Sequence, residues 1–284
     1  QSSKGYCKQS SETIYDLEGN TPITTTKTFE YKNASHKNIT KTTQQSSQQQ
    51  EITKTYEYPS DFPTGTETPV AVFNKMISTN ILNPVIKQQT KVATAQVSSQ
   101  INNYKDFGNN LILPEIIQTS KGSQPLDDRI VYHAYDYFGN PLEVSKADGT
   151  HIVYLWGYHQ SQPIAKIENA TYSDVQSQVA NLQTLSNADN DRTVDIINSD
   201  GTLTKVGKEG DLREALRNLR ASTSTSIPDS QVTTYTYDPL IGVTSITDPR
   251  GNTVYYEYDA FNRLKHVKDQ DGNILSKNKY HYKN

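Results

Sequence analysis

The residues best suited to catalysis or metal binding are six histidines: His36, His133, His151, His159, His266 and His281. Imidazole changes charge near neutral pH and offers two ring nitrogens as ligands. Metal sites legible in sequence show close ligand spacing, such as two histidines one helical turn apart. None of the six is spaced that way. His133 and His281 stand beside tyrosines in alternating stretches, where filling a strand face is the expected role. Asp189-Asn190-Asp191, with Asp195 and Asp200, faintly resembles a calcium loop but lacks the glycine at its sixth position and the closing glutamate. A solvated polar loop is expected there. Asp127-Asp128 could suggest an acid–base pair, yet adjacent strand residues point to opposite faces and do not converge on one substrate. No Gly-x-Ser-x-Gly elbow and no phosphate loop is present. The reading is of a non-enzyme with no catalytic, cofactor-binding or metal-ligating residue.

The tyrosines carry the strongest pattern, with 19 Tyr against 6 Phe and 1 Trp. Tyr237 to Gly251, Tyr258 to Gly272 and Tyr135 to Gly149 are each fourteen residues apart. The next aromatic follows twenty-one residues on from Tyr237 (Tyr258) and from Tyr135 (Trp156), and twenty-four on from Tyr258 (Tyr282). A fixed period of this size marks a repeat architecture. Alternation in Val254-Tyr255-Tyr256-Glu257-Tyr258 puts aromatics on one strand face. Asp-Gly and Gly-Asn pairs supply the positive φ of tight turns. Each unit is therefore a β-hairpin, and successive hairpins stack edge to edge into a curved or spiralling sheet. Aromatic rows on a sheet can stack sugars or bases, but their register with the turns favours cross-strand pairing.

The elements that position these residues follow from composition and order. At 284 residues the chain suits one large or two smaller domains, and it is polar, with 33% hydrophobic residues and a mean hydropathy of −0.75. A net charge of −3 with interspersed signs gives no support to nucleic-acid or anionic-membrane binding. The single Cys7 excludes an internal disulfide framework. No apolar run approaches a membrane span. The start at Gln1 in mid-pattern, with neither initiator Met nor signal-like segment, reads as part of a longer polypeptide.

Residues 1–128 read as a degenerate β-repeat region with a short helix near 70–82, ended by Asn83-Pro84. Within it, 41–50 is a polar hairpin or loop, and Pro114 places its strand at an edge or a bulge. Residues 129–170 form a clean repeat block. A helical insertion over 171–226 follows and could act as a plug or lid. Its first helix spans 173–186, with Val175, Val179, Leu182 and Leu185 on one face and Thr171 or Ser173 as N-cap. A polar loop covers 187–210. The second helix, 211–220, turns Leu212, Ala215, Leu216 and Leu219 inward and Arg213, Arg217 and Arg220 outward, and 222–226 is a flexible link. Residues 227–284 close the chain with a second repeat block.

The motif Tyr258-Asp259-Ala260-Phe261-Asn262-Arg263-Leu264, followed by Asp271-Gly272-Asn273, resembles the Tyr-Asp repeat of the RHS family, with Asn262 in place of the usual Gly. Tyr237-Asp238 and Tyr135-Asp136 open two further copies. Gly139-Asn140-Pro141-Leu142-Glu143-Val144, Trp156-Gly157-Tyr158, Gln162-Pro163-Ile164-Ala165 and 187–193 are similar to the long RHS proteins exported to the cell surface by Bacteroidota. The resemblance implies a spiralling β-shell that encapsulates, displays or delivers a C-terminal cargo, outside the cell. Its implied partners are other repeats of the same polypeptide, such a cargo, and an outer-membrane secretion machine of the type IX kind. A surface adhesin or glycan-binding module using the tyrosine-rich faces is the alternative, as is a substrate portion held by that machine. The Asp-Pro and Gly-Trp signature by which some members release cargo is absent, since Asp238-Pro239 and Asp248-Pro249 have other contexts, so no protease residue is carried over.

Overall fold

The computed structural model describes residues 5–15, 22–62, 69–190, 196–197, 203–204 and 207–280, which fall into two compact units, Gln1–Tyr132 and His133–Asn284. The first holds β1 (Gln9–Ile14), β2 (Ile23–Glu30), β3 (Lys41–Gln45), β4 (Glu51–Glu57), α1 (Val70–Ser78), β5 (Lys87–Val92), β6 (Ala95–Asp106), β7 (Ile112–Lys121) and most of β8 (Asp127–Tyr135). The second holds β9 (Pro141–Lys146), β10 (His151–Gly157), β11 (Gln162–Glu168), α2 (Tyr172–Ala188), β12 (Ile196–Ile197), β13 (Leu203–Thr204) and α3 (Gly207–Ser226). It continues through β14 (Gln231–Asp238), β15 (Gly242–Thr247), β16 (Thr253–Tyr258), β17 (Leu264–Lys268) and β18 (Ile274–Lys277). Among the described residues the sheet strands of each unit follow chain order, with β11 beside β14 in the second, while β12 and β13 pair with each other. The paired strands are antiparallel, as a chain of hairpins requires. The expected mainly-β hairpin fold with a helical insertion is what the chain forms.

Several hairpins are pinned by an aromatic residue. Trp156 Nε1 donates to Pro141 O at 2.9 Å, Tyr237 OH to Pro163 O at 3.0 Å, Tyr258 OH to Val243 O at 2.9 Å and Tyr280 OH to Leu264 O at 2.9 Å. Every acceptor is the first or second residue of a strand that precedes the donor. In the first unit Tyr58 OH reaches Ile39 O at 2.8 Å and Tyr31 OH reaches Cys7 O at 3.0 Å. The β-register shifts immediately before Tyr104, Trp156, Tyr237 and Tyr258. The extra residue lies in the partner strand opposite each aromatic residue (Glu115, Ile164, Thr244 and Lys265), and a bulge of this kind bends the strand that carries it. At the first of these sites Pro114 is the residue opposite Tyr104, so the expected bulge is beside this proline. The tyrosines thus hold register with their hydroxyls as well as with their rings.

The turns share a second device. Asp136 Oδ1 accepts from the amides of Phe138 (2.9 Å) and Asn140 (2.8 Å), and its Oδ2 from Asn140 Nδ2 (2.9 Å). Asp269 repeats this with Asp271, Asn273 and the Asn273 side chain at 3.0, 2.8 and 2.9 Å. Asp248 clasps Asn252 in the same way. Asp259 takes the amides of Phe261 and Arg263, and the Arg263 guanidinium replaces the asparagine. The third residue after each aspartate has positive φ: Gly139 at 87°, Gly251 at 91°, Gly272 at 82° and Asn262 at 60°. Asparagine tolerates this region better than other non-glycine residues, which explains how Asn262 substitutes for glycine.

Among the described residues the two clusters of apolar packing lie where helices cover the sheet. Phe73 and Met76 of α1 pack with Ile86 and Ile112 in the first unit. The α1 helix ends at Ser78 rather than near 82, because Asn80 adopts φ 61° and the Thr79 amide closes on Lys75 O at 3.0 Å. The region read as a polar loop over 187–210 contains the β12–β13 pair and the start of α3. The expected flexible link at 222–226 is helical, with Thr223 buried and the Thr225 and Ser226 hydroxyls turned back to Ala221 O and Ser222 O at 2.9 Å.

Tyr258→Phe should lower stability by about 0.5–1.5 kcal/mol in urea unfolding, the worth of one hydrogen bond. A Cβ at residue 242 would run into Tyr258 OH, so Gly242→Ala should cost about 1–3 kcal/mol, and less in a Tyr258→Leu background. Hydrogen bonds from Asn252, Arg263 and Asn273 hold the carboxyls of Asp248, Asp259 and Asp269 below the usual carboxylate range. Their contribution is present above the ordinary carboxylate pKa and is lost as pH falls through the lowered values. The urea midpoint should therefore decline below roughly pH 4, and less steeply in an Asp259→Ala/Asp269→Ala variant.

Candidate functional site

The helical insertion lies on β10, β11 and β14 in the second unit. Val175, Val179 and Leu182 of α2 and Leu212, Leu216 and Leu219 of α3 recur at helical spacing and meet Val153, Leu155, Ile164, Ile167 and Val232. Thr171 caps α2, its amide donating to Asp174 Oδ2 at 2.8 Å. The end of α2 presses on the end of β10, where a Cβ on Gly157 would overlap Ser186 and Ile164. The chain then makes three successive left-handed residues, Tyr158, His159 and Gln160, at φ 49°, 57° and 58°. Such a run is uncommon without glycine and persists only where neighbours enforce it. Here Tyr158 N donates to Ser186 Oγ (3.2 Å), His159 N to Asn187 Oδ1 (2.6 Å) and Asn140 Nδ2 to Gln160 O (2.8 Å).

Buried ionisable groups gather beneath the helices. Tyr158 OH donates to Asp189 Oδ2 at 2.6 Å and accepts from the Tyr237 amide at 2.9 Å. Burial and the Asp189 charge raise the Tyr158 phenol far above its ordinary value, and burial pushes Tyr237 up to about 12. Glu209 Oε1 accepts from Thr244 (2.7 Å), Thr236 (2.8 Å) and Arg213 Nη2. Burial raises the Glu209 pKa, while Arg213 and the two hydroxyls pull it back. Arg213 and Arg220, read in sequence as outward, turn to the sheet. Arg213 pairs with Glu209 and lies over the Tyr255 ring at 4.7 Å. Arg220 Nη1 donates to Val232 O (2.5 Å) and Asp248 O (2.6 Å), and its Nη2 to Thr234 Oγ1 (3.1 Å). These groups tie helix to sheet; none forms a nucleophile–base pair.

The histidines take separate places. His36 is buried, with Nε2 3.2 Å from Asp61 Oδ2 and its ring against Tyr58 at 4.4 Å. His266 Nδ1 lies 3.1 Å from Glu257 Oε2. His133, Glu143 and His151, separated in sequence, come together through the strand register, with one ligand atom from each within 4.8 Å of the others. Two imidazoles and a carboxylate are ligand types that suit zinc. The two rings are stacked at 4.9 Å and 14°, so their in-plane lone pairs do not meet at one point. His151 Nδ1 contacts Glu143 Oε1 at 2.7 Å and His133 Nε2 contacts Ser145 Oγ at 2.9 Å. Asp127 pairs with Arg129, whereas Asp128 accepts from Gln118 at 2.7 Å. His281, Asp191, Asp195 and Asp200 lie outside the described residues. Among the described residues no helix is long and apolar enough to cross a membrane.

No curated protein matches the chain. Among solved structures, the crystal structure of TcdB2-TccC3-Cdc42 aligns with 96% of this chain and 11% of its own, at 13% identity and a TM-score of 0.41. That of TcdB2-TccC3 aligns with 92% of this chain and 12% of its own, at 13% identity and a TM-score of 0.32. A Tc holotoxin pore of Photorhabdus luminescens aligns with 92% and 15%, at 11% identity and a TM-score of 0.31. The chain spans only 11–15% of the length of these structures. Residues 242–274 match the family model described as RHS Repeat. That stretch contains the Tyr258 bond to Val243 and the clasped turns at Asp248, Asp259 and Asp269. The chain therefore carries an RHS repeat at residues 242–274.

Proposed function

We propose that this chain is a non-catalytic RHS-repeat shell segment of a large exported bacterial protein, one that encapsulates, displays or delivers a C-terminal cargo. The observation that carries the reading is the recurrence of one mechanical device, an aromatic side chain bonded to the start of a preceding strand, on both sides of the helical insertion. The family match at 242–274 supports it. The buried ionisable groups serve attachment of the insertion, as expected of a scaffold. Its partners on this reading are flanking repeats of the same polypeptide and the cargo, and its place is the cell surface or beyond, reached across the outer membrane through the type IX route.

The test is limited proteolysis of a longer polypeptide that includes this chain and the segment encoded after it. The downstream segment should be cut at least tenfold more slowly than the same segment expressed alone (roughly the effect of a 1.4 kcal/mol opening cost), and Gly242→Ala should reduce that protection. Equal cleavage rates would remove the encapsulating role. Glycan-array binding abolished by Tyr137→Ala or Phe261→Ala, with the fold intact, would replace the scaffold reading by an adhesin; both side chains are exposed turn residues.

A further inference from the structure

A groove of about 730 Å³ lies in the first unit along one face of the β1–β2 hairpin and the loop near residues 33–37. Its size falls in the range of roughly 300–1,000 Å³ found for ligand sites. The register of β1 on β2 continues past Gln9, the Phe29 amide donating to Lys8 O at 2.9 Å. Tyr6 and Lys8 therefore alternate along one strand beside Tyr31 and Phe29 on the next, and all four line the groove. The Tyr6 and Tyr31 rings meet, with centroids 4.9 Å apart, and Tyr6 is 42% exposed. Lys37 lines the groove from the loop, and Lys27 Nζ stands over the Phe29 ring at 5.5 Å. Among the described residues none of Lys8, Lys27 and Lys37 pairs with a carboxylate. Glu30, the one carboxylate in the described wall, is held by Lys32 at 2.8 Å and Lys41 at 3.5 Å. Lys37 is the informative member. It has φ 57°, and its amide closes on Asn33 O at 3.1 Å. Asp61 fastens this loop, accepting from Asn33 Nδ2 at 2.6 Å and meeting Nε2 of the buried His36 at 3.2 Å. A left-handed lysine is uncommon and persists only where neighbours enforce it. The fastening holds one cation beside a group of aromatic rings.

We infer that this groove binds an acidic oligosaccharide, one whose sugar rings carry carboxylates. Tyr6, Phe29 and Tyr31 offer an apolar platform to the C–H faces of sugar rings. Lys8 and Lys37 supply the charge that carboxylates on those rings require, as donors of charge-assisted hydrogen bonds. A groove for single-stranded nucleic acid tracks successive phosphates with a continuous basic lining. Here two lysines and a carboxylate share the wall, in a chain of net charge −3, which favours the more sparsely charged glycan. The inference rests on the first unit alone and does not depend on the scaffold role.

The experiment is isothermal titration of the whole chain with tetragalacturonate, against neutral maltotetraose and a single-stranded oligothymidylate of matched charge. Tetragalacturonate should bind saturably, about tenfold more tightly than maltotetraose, and more weakly as sodium chloride is raised. The double variant Lys8→Gln/Lys37→Gln should weaken its binding about tenfold, the worth of one charged hydrogen bond. Tyr6→Ala should weaken it too, by removing part of the platform. All three side chains are exposed, so the variants should keep the far-UV circular dichroism of the parent chain. Lys91→Gln in β5 and Tyr137→Ala in the second unit, both exposed and outside the groove, should bind as the parent does. If Tyr6→Ala does not fold, the lysine double variant alone decides the matter. Absence of saturable binding, equal affinity for maltotetraose, tighter binding of the oligothymidylate, or undiminished binding by Lys8→Gln/Lys37→Gln would overturn the inference.

Discussion

The hydrogen bond from an aromatic side chain to a carbonyl near the start of an earlier strand is the constraint on which the rest depends. A polar sheet of threonine, glutamine and tyrosine buries little apolar area, so the hydrophobic effect selects its register only weakly. A one-residue slip along such a strand would cost little in burial. It would break the bond from Tyr258 to Val243 and carry the side chain to the opposite face. The bulge opposite Tyr258, at Lys265, and the aspartate clasp after it make the slip harder still. Tyrosine suits this position because its ring packs on the sheet while its hydroxyl finds an acceptor.

The insertion answers a different need. Strands β1 and β18 are exposed along their whole length, whereas β10 and β11 are largely buried beneath α2 and α3. Covering the sheet requires that polar positions of the strands be matched from above. Glu209 meets the hydroxyls of Thr236 and Thr244, and Arg220 meets the carbonyls of Val232 and Thr247. Charged groups on the covering helix thus complement the buried threonines that stand beside the apolar residues of the covered strands. The cost of burying them is contained by pairing each with several partners.

Much of this was legible in sequence. The fourteen-residue step from tyrosine to glycine places both turn and strand, and Asn262 fills a glycine position because it tolerates the same backbone region. The direction of the tyrosine hydroxyls was not legible, since alternation gives the face of a strand but not the acceptor a side chain reaches. The inward turn of Arg213 was missed because its partner Glu209 falls in a stretch that reads as loop, leaving the arginine with no visible reason to be buried. His133, Glu143 and His151 meet only once the pairing of β9 with β10 is known. The end of α1 at Ser78 depended on the left-handed Asn80, and the run of α3 to Ser226 carries a buried Thr223, neither of which composition reports.

The bond from Tyr237 to Pro163 spans 74 residues, whereas its equivalents from Trp156 and Tyr258 span 15 each. The loop closed is about five times longer, which raises the closure entropy by roughly 1.4 kcal/mol. That is a small penalty beside the apolar contacts that α2 and α3 make once in place, so thermodynamics hardly registers the interruption. Kinetics does. The other hairpins close locally, whereas the joining of β11 to β14 is non-local, the kind of contact that slows folding. The helical insertion therefore leaves this unit as two blocks of local hairpins joined by a single non-local pairing.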